Sequence, residues 1–407
     1  MTSTAATTPS RWDAAFDHMD YHGPTRISAG VGRRHEIDET VRSTGGSRAF
    51  ILCGSHFART SHFDDVLRSL GSLYAGCVDH ISSHSTIDDL RAIVESVNAA
   101  EADVIVAIGG GSVIDLAKCV AATQRAGVDF LLISHSIDKP KASHGGGTSC
   151  EIIALPTTAG SASETNCMGG VLASDGHGGT ARVPSRDPHV APHTALLDPE
   201  LTASLDPWLT VTTGANAFAH CVEVLYSTHA DPVSSALALE AGRMMFEHLP
   251  QCVSESSNLD ARGYQQFATA MSGLALGNTM VCLHHALCHG LGDLHHTPHG
   301  ENNAVMLPHA MRYNVDAATI PIHRLGIAIG VASPIDASQA GAHKTIDAIQ
   351  AWLAEMGAPT RLRDIGSLKP EDLEGSARLA SVSPCIPFNP TPPPSIEDLL
   401  SIYREAW

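Results

Sequence analysis

Two pairs of polar residues, each spaced by one helical turn, are the first features able to do chemistry. Asn216 and His220 stand four apart within Val211–Ser227, and His285 and His289 stand four apart within Met280–Leu294, so each pair shares one helix face. His299 follows in the turn Pro298-His299-Gly300, fourteen residues after His285, where a helix and its trailing loop could bring both rings to one point. Imidazoles at this spacing suit a divalent metal, or proton transfer at a carbonyl. The chain has 24 histidines, and His284, His295, His296 and His309 are expected to be surface or packing residues. His220, His285, His289 and His299 are the functional candidates. Their helices are otherwise apolar (Ala217, Phe218, Val222, Leu283, Leu287), and an unexplained imidazole buried there would carry a desolvation cost.

A second kind of chemistry is written in the glycines. Val104–Ile108 is a continuous apolar strand of the fully buried kind, followed by Gly109-Gly110-Gly111-Ser112 and the helical run Val113–Lys118. Glycines let the backbone approach a ligand closely, and the free N–H groups at the helix start attract a pyrophosphate. The turn is not the G-x-G-x-x-G fingerprint. A second segment, Leu155 to Glu164, also leaves a strand through small and hydroxyl residues, which can offer hydroxyls and amides to a ribose or a nicotinamide amide.

These segments need elements to hold them. From about residue 24 to residue 200, short apolar runs (Ala49–Cys53, Val104–Ile108, Ile152–Pro156) alternate with helical ones (Asp65–Leu73, Thr86–Ala99, Ser112–Arg125), the pattern of a parallel sheet covered by helices. After Asp198-Pro199 and Asp206-Pro207 the pattern becomes helix after helix: Val211–Ser227, Pro232–His248, Gly263–Gly277, Met280–Leu294, Pro321–Ile329 and His343–Glu355. The expected organisation is a flexible tail over 1–20, an α/β dinucleotide-binding domain over 21–205 and an all-helical catalytic domain over 206–407. Residues 132–150, with Lys139-Pro140-Lys141 and three consecutive glycines, interrupt the order as a polar excursion expected to be a loop at the cofactor edge. Pro384–Pro394 is an extended connector, and Ser395 with Asp398 forms a capping box for a last helix.

The formal charge is −18 and no run of Lys or Arg exists, so nucleic acid and membrane surfaces are poor partners. An anionic substrate would need a local basic group, for which Arg182 and Arg186 are the candidates. Ten cysteines show no C-x-x-C pair, and several lie in apolar stretches as reduced thiols do, which fits the cytosol. The first ten residues lack the basic start and apolar core of a signal peptide.

Three segments in order, Gly109-Gly110-Gly111-Ser112 with Asp115 and Lys118, Pro156 to Gly160 with Ser163-Glu164, and His285, His289 and Pro298-His299-Gly300, resemble the iron-containing alcohol dehydrogenase superfamily over roughly residues 24 to 400. The resemblance implies a dehydroquinate synthase-like architecture, NADH or NADPH as cofactor, a homodimer, and cofactor contacts from Gly109, Gly110, Gly111, Ser112, Asp115, Lys118, Thr157, Thr158 and Ser163. Thr213 to His220, Leu283 to His289, Asn389-Pro390-Thr391-Pro392 and Arg186-Asp187-Pro188 look most like maleylacetate reductases. Those enzymes reduce the carbon–carbon double bond of maleylacetate, an unsaturated keto diacid of aromatic catabolism. In metal-dependent members the position of Asn216 is an aspartate, joined as ligands by the residues matching His220, His285 and His299. Asn216 removes the one anionic ligand, and the resemblance to maleylacetate reductases implies no required metal, although three histidines could still hold Fe or Zn. The 132–150 excursion and Gly300 follow the alcohol dehydrogenase pattern, and Gly54-Ser55-His56 offers no acid to a ribose diol, so use of NADH alone is not implied.

The mechanism expected from these residues is hydride transfer to a carboxylate-bearing small molecule paired with Arg182 or Arg186, with His289 the first choice of proton donor among the histidines and Asn216. The rival readings are a metal-dependent alcohol or hydroxy-acid dehydrogenase, and a non-redox lyase, cyclase or isomerase on the same fold.

Overall fold

The computed structural model describes residues 23, 25–82, 85–133, 149–174 and 180–407. The tail expected over 1–20 and most of the excursion expected over 132–150 lie outside the described residues. In chain order the first part contains β1 (Arg26–Ala29), α1 (Ile37–Ser43), β2 (Ala49–Cys53), α2 (Ser61–Leu70), β3 (Tyr74–Val78), α3 (Ile87–Ala99), β4 (Val104–Gly109), α4 (Gly111–Ala126), the short α5 (Phe130–Ile133), β5 (Glu151–Pro156), β6 (Met168–Ser174), β7 (Thr180–Arg186) and β8 (Thr194–Leu197). Six strands form one parallel sheet in the order β1-β8-β5-β4-β2-β3. Because side chains alternate along a strand, each inner strand feeds two cores. Ile105 and Ala107 of β4 face α3 and α4 with Leu90, Ile114 and Val120, while Val104, Val106 and Ile108 face α1 and α2 with Ile37, Val41 and Val66. Burial on both faces is why β4 is apolar at every position. One departure from the all-parallel expectation is the antiparallel hairpin β6–β7, which carries Arg182 and Arg186.

The second part is helical: α6 (Pro207–Tyr226), α7 (Pro232–Ser254), α8 (Leu259–Thr279), α9 (Leu283–His295), α10 (His299–Asn314), α11 (Thr319–Ala328), α12 (Ser338–Glu355), α13 (Asp372–Ser381) and α14 (Ile396–Ala406). Aspartate followed by proline opens α6 and α7: the Asp206 carboxylate accepts from Leu209 N at 2.9 Å, Asp231 accepts from Val233 N and Ser234 N, and each proline occupies a first-turn position that has no use for its missing N–H. Met280 sits at φ 102°, ending α8 and separating it from α9, so the helix expected from Met280 starts three residues later. The Ser395–Asp398 capping box forms at α14.

α6 is buried on nearly every side, and its start is tied to the end of α7 by Arg262. This guanidinium is 1 % exposed and has no carboxylate partner in the ion pairs of the described residues. It donates to Thr210 Oγ1 (3.1 Å) and to the carbonyls of Cys252 (3.1 Å), Ser256 (3.2 Å) and Leu205 (3.4 Å). The carbonyls at the end of α7 are the negative pole of that helix, which offsets part of the cost of burying the cation. Arg262→Met should leave these carbonyls unsatisfied and lower unfolding stability by about 2–3 kcal/mol; a denaturant midpoint equal to the parent's would contradict this role.

Candidate active site

β4 and β5 pair in parallel with Gly109 opposite Pro156, and Thr157 N donates to Gly109 O at 3.0 Å. The glycine turn and the hydroxyl-rich loop therefore leave adjacent strands at the same sheet edge, beside the point where the chain steps over β2 to place β4, as expected of a ligand crevice in an open parallel sheet. α4 begins at Gly111 with no side-chain cap, and the positive pole of the helix there favours an anion. A Cβ on Gly110 would lie 2.9 Å from Thr158 Cγ2, and one on Gly109 would lie 2.6 Å from Val113 Cγ2. Thr158 Oγ1 is buried without a partner among the described residues, a hydroxyl left for a ligand. The residues thus fit a dinucleotide.

Below this crevice runs a carboxylate network. Asp115 accepts from Ser163 Oγ at 2.7 Å, from Lys118 Nζ at 3.3 Å and from Arg182 at 3.1 Å. Lys118 was expected to touch the cofactor, but its ammonium is 1 % exposed and its remaining donors go to Asn166 Oδ1 (3.0 Å) and Met168 O (2.8 Å), so it braces the loop from inside. The two arginines part company. Arg186 donates to Gly277 O at 2.8 Å, at the end of α8, whereas Arg182 stands half-exposed close enough to His289 and His299 for its charge to bear on both.

The loop after β5 is clamped to the helical part. Gln265 Nε2 and Thr269 Oγ1, both on α8, donate to Ala159 O at 2.8 and 2.9 Å, and Asn216 Nδ2 on α6 donates to Gly160 O at 3.0 Å. Gly160 touches α6 so closely that an added Cβ would lie 2.2 Å from Thr213 O; no other residue fits. Gly300 makes the corresponding approach from α10, where a Cβ would lie 2.8 Å from Thr212 O. His299 is thereby the first residue of a helix, correcting the expectation of a trailing loop: Pro298 opens α10 and its carbonyl accepts from Glu301 N and Asn302 N.

All four singled-out histidines meet. His220 stacks on His285 with ring centroids 4.8 Å apart and planes at 17°, His299 lies 5.8 Å from His285, and His289 stacks on His299 at 5.7 Å. His284 belongs with them, against the expectation of a bystander: it is fully buried, 4.9 Å from His285 edge to face. Glu223, seven residues after Asn216 on the same face of α6, was not anticipated. Its carboxylate is wholly buried, accepting from His284 N at 2.8 Å and lying 2.5 Å from His285 Nδ1. An acid inside the apolar run Cys221–Tyr226, one turn beyond His220, was the available signal. Burial pushes Glu223 up to about 6 and, with the neighbouring histidines, drives His220 and His285 well below the usual imidazole range. Desolvation and the Arg182 charge bring His289 down to about 4, and desolvation, His289 and Arg182 bring His299 down to about 3. At neutral pH the cleft is lined by uncharged imidazoles.

Residues 24–199 match the family model for iron-containing alcohol dehydrogenase, and residues 210–407 match the C-terminal model of the same family. The chain belongs to the iron-containing alcohol dehydrogenase family. It is 34% identical to maleylacetate reductase 2 of Cupriavidus pinatubonensis over 311 residues, 76% of this chain and 78% of that one. Among solved structures, 1,3-propanediol oxidoreductase superposes with a TM-score of 0.89 at 26% identity, covering 96% of this chain and all of the other. A sulfoacetaldehyde reductase from Bifidobacterium kashiwanohense, solved with NAD+, superposes with a TM-score of 0.84 at 25% identity, covering 96% and 99%. The chain is accordingly an NAD(P)-dependent oxidoreductase, which sets aside the lyase, cyclase and isomerase readings. Among the described residues no helix is long and apolar enough to cross a membrane.

Gly110→Ala should push Thr158 into the crevice and weaken binding of reduced nicotinamide cofactor by about tenfold or more, equal to about 1.4 kcal/mol, with little change in melting temperature. Unaltered affinity in a fluorescence titration would remove the glycine turn from the cofactor site.

Proposed function

We propose that the chain is an NAD(P)H-dependent reductase of the maleylacetate reductase type, a homodimer acting on an unsaturated or keto diacid without a catalytic metal. The observation that carries this reading is Arg182: a side chain 42% exposed, beside His289 and His299, in a chain of net charge −18. In such a field an accessible cation against neutral imidazoles is a receptor for a substrate carboxylate, which would take the place Asp115 now holds. The cofactor, when bound, supplies the hydride. The amides of Gly110 and Gly111 with Ser112 would hold its pyrophosphate, and Thr157, Thr158 and Ser163 would offer it further polar contacts. His289 and His299, being neutral, offer N–H groups to the oxygen on which negative charge grows during reduction, with His289 the first choice.

A divalent iron does not suit this residue set. Asn216 supplies a neutral amide where a hard ion needs an anion, and its nitrogen is already committed to Gly160 O. Among the described residues, the set of three acid, histidine or cysteine ligand atoms lying within 4.8 Å of one another is Glu223, His284 and His285, not His220, His285 and His299. The rival, a metal-dependent alcohol or hydroxy-acid dehydrogenase, draws support from Gly300 and from the likeness to 1,3-propanediol oxidoreductase.

The test is consumption of reduced nicotinamide with maleylacetate. Arg182→Ala should raise KM for the diacid about tenfold while leaving turnover of an uncharged aldehyde unaffected, and His289→Ala should lower kcat about a hundredfold. Oxidation of simple alcohols with no reduction of maleylacetate would overturn the assignment.

A further inference from the structure

The loop between β5 and β6 is held by its carbonyls. Ala159 O accepts from Gln265 Nε2 and from Thr269 Oγ1, one turn apart on α8, which engages both lone pairs and fixes the direction of the carbonyl. Gly160 O accepts from Asn216 Nδ2 on α6 at 3.0 Å, and Ala162 O accepts from Asn166 Nδ2 at 2.7 Å. Ala162 sits at φ 60°, in the left-handed region that a side chain avoids, and Gly273 clears space for its carbonyl: a Cβ there would lie 2.3 Å from Ala162 O. Such a conformation persists only where the surroundings over-determine it.

A trans peptide points its N–H opposite to its carbonyl, and no peptide bond of the described residues is cis. With Ala159 O drawn toward α8 and Gly160 O toward α6, the N–H groups of Gly160 and Ser161 point the other way. That side of the loop faces the glycine turn, where a Cβ on Gly111 would lie 3.4 Å from Ser161 Cβ. The neighbouring amides are spent: Thr157 N on Gly109 O, Ala159 N on Thr213 Oγ1 and Ser163 N on Ser161 Oγ. Gly160 N and Ser161 N meet no acceptor among the described residues, although Gly160 is buried. Buried amides without partners are rare, and two in succession mark a place kept for a ligand.

We infer that Gln265 and Thr269 are positioning residues for the cofactor: by fixing the Ala159 carbonyl, while Asn216 fixes that of Gly160, they aim two amides across the crevice at the phosphate oxygens that the start of α4 receives from the opposite side. Successive N–H groups make a concavity for an anion without placing a charge there. This suits a site whose lysine, Lys118, is committed to Asn166 and Met168. The inference rests on the cofactor of the reductase reading and is independent of its substrate.

The experiment is hydrogen–deuterium exchange of the full-length enzyme, resolved to single amides, with and without saturating NADH or NADPH, whichever the parent binds more tightly. Beside it, that cofactor and ADP are titrated into the parent and into the double variant Gln265→Met, Thr269→Val. In the parent the cofactor should slow exchange at Gly160 and Ser161. The double variant should lose that protection and bind both ligands about tenfold more weakly, while Thr269→Ser, which keeps the hydroxyl, should match the parent. Cofactor binding that leaves exchange at these two amides unchanged would overturn the inference. So would a double variant that loses melting temperature but keeps the parent's affinity, the outcome of a purely structural clamp. Should the double variant not fold, the parent's exchange and Thr269→Val alone decide by the same criteria. Protection without maleylacetate turnover would strike the functional reading and leave the inference standing.

Discussion

The amide of Asn216 joins the two parts of the molecule, and the cleft takes its shape from that bond. On one side it holds Gly160 O, in the loop that leaves the sheet beside the glycine turn; on the other its oxygen meets His285 at the start of α9. The close packing of Gly160 on Thr213 O lets the bond form, because any side chain there would lift the loop off α6. Asn216 thus links the cofactor crevice to the histidine cluster, beside the bonds that Gln265 and Thr269 make to Ala159 O. An aspartate at this position would lose the donor that meets Gly160 and would put a second carboxylate on the His285 ring, across from Glu223.

Charge balance inside the cleft follows from the same constraint. Burial and mutual proximity keep the imidazoles neutral, while the charged groups, Asp115, Lys118 and Arg182, are gathered below the crevice in one network. A low-dielectric chamber with oriented N–H groups and an accessible cation at its edge suits a reaction in which negative charge grows on a carboxylate-bearing substrate. The surrounding protein, at −18, strengthens the need for Arg182, an accessible cation among the described residues at the cleft.

Much of this was legible in the sequence because it depends on short-range pattern. β4 is apolar throughout since both its faces are covered, and three glycines in a row announce a close approach. The pairs Asn216–His220 and His285–His289 follow from helical period alone. What was missed depends on partners distant in sequence. Glu223 looks like an isolated acid until His284 and His285, more than sixty residues on, are seen to receive it. The β6–β7 hairpin escaped notice because Gly169-Gly170 weaken its strand pattern, and those glycines are there to let β6 approach Asp115 O and Val183 O. The start of α10 was read as loop because Pro298 and Gly300 are turn residues; Gly300 instead serves the contact with Thr212.

In the proposed reaction the cleft works with protons and neutral donors and needs no metal ion. The most direct measurement is turnover of maleylacetate with reduced nicotinamide by enzyme purified without chelator, assayed before and after exhaustive chelation, with metal content determined on the same samples. The predicted result is no stoichiometric divalent ion and the same rate after chelation. Loss of activity on chelation, restored by ferrous or zinc ion in proportion to the amount bound, would contradict it.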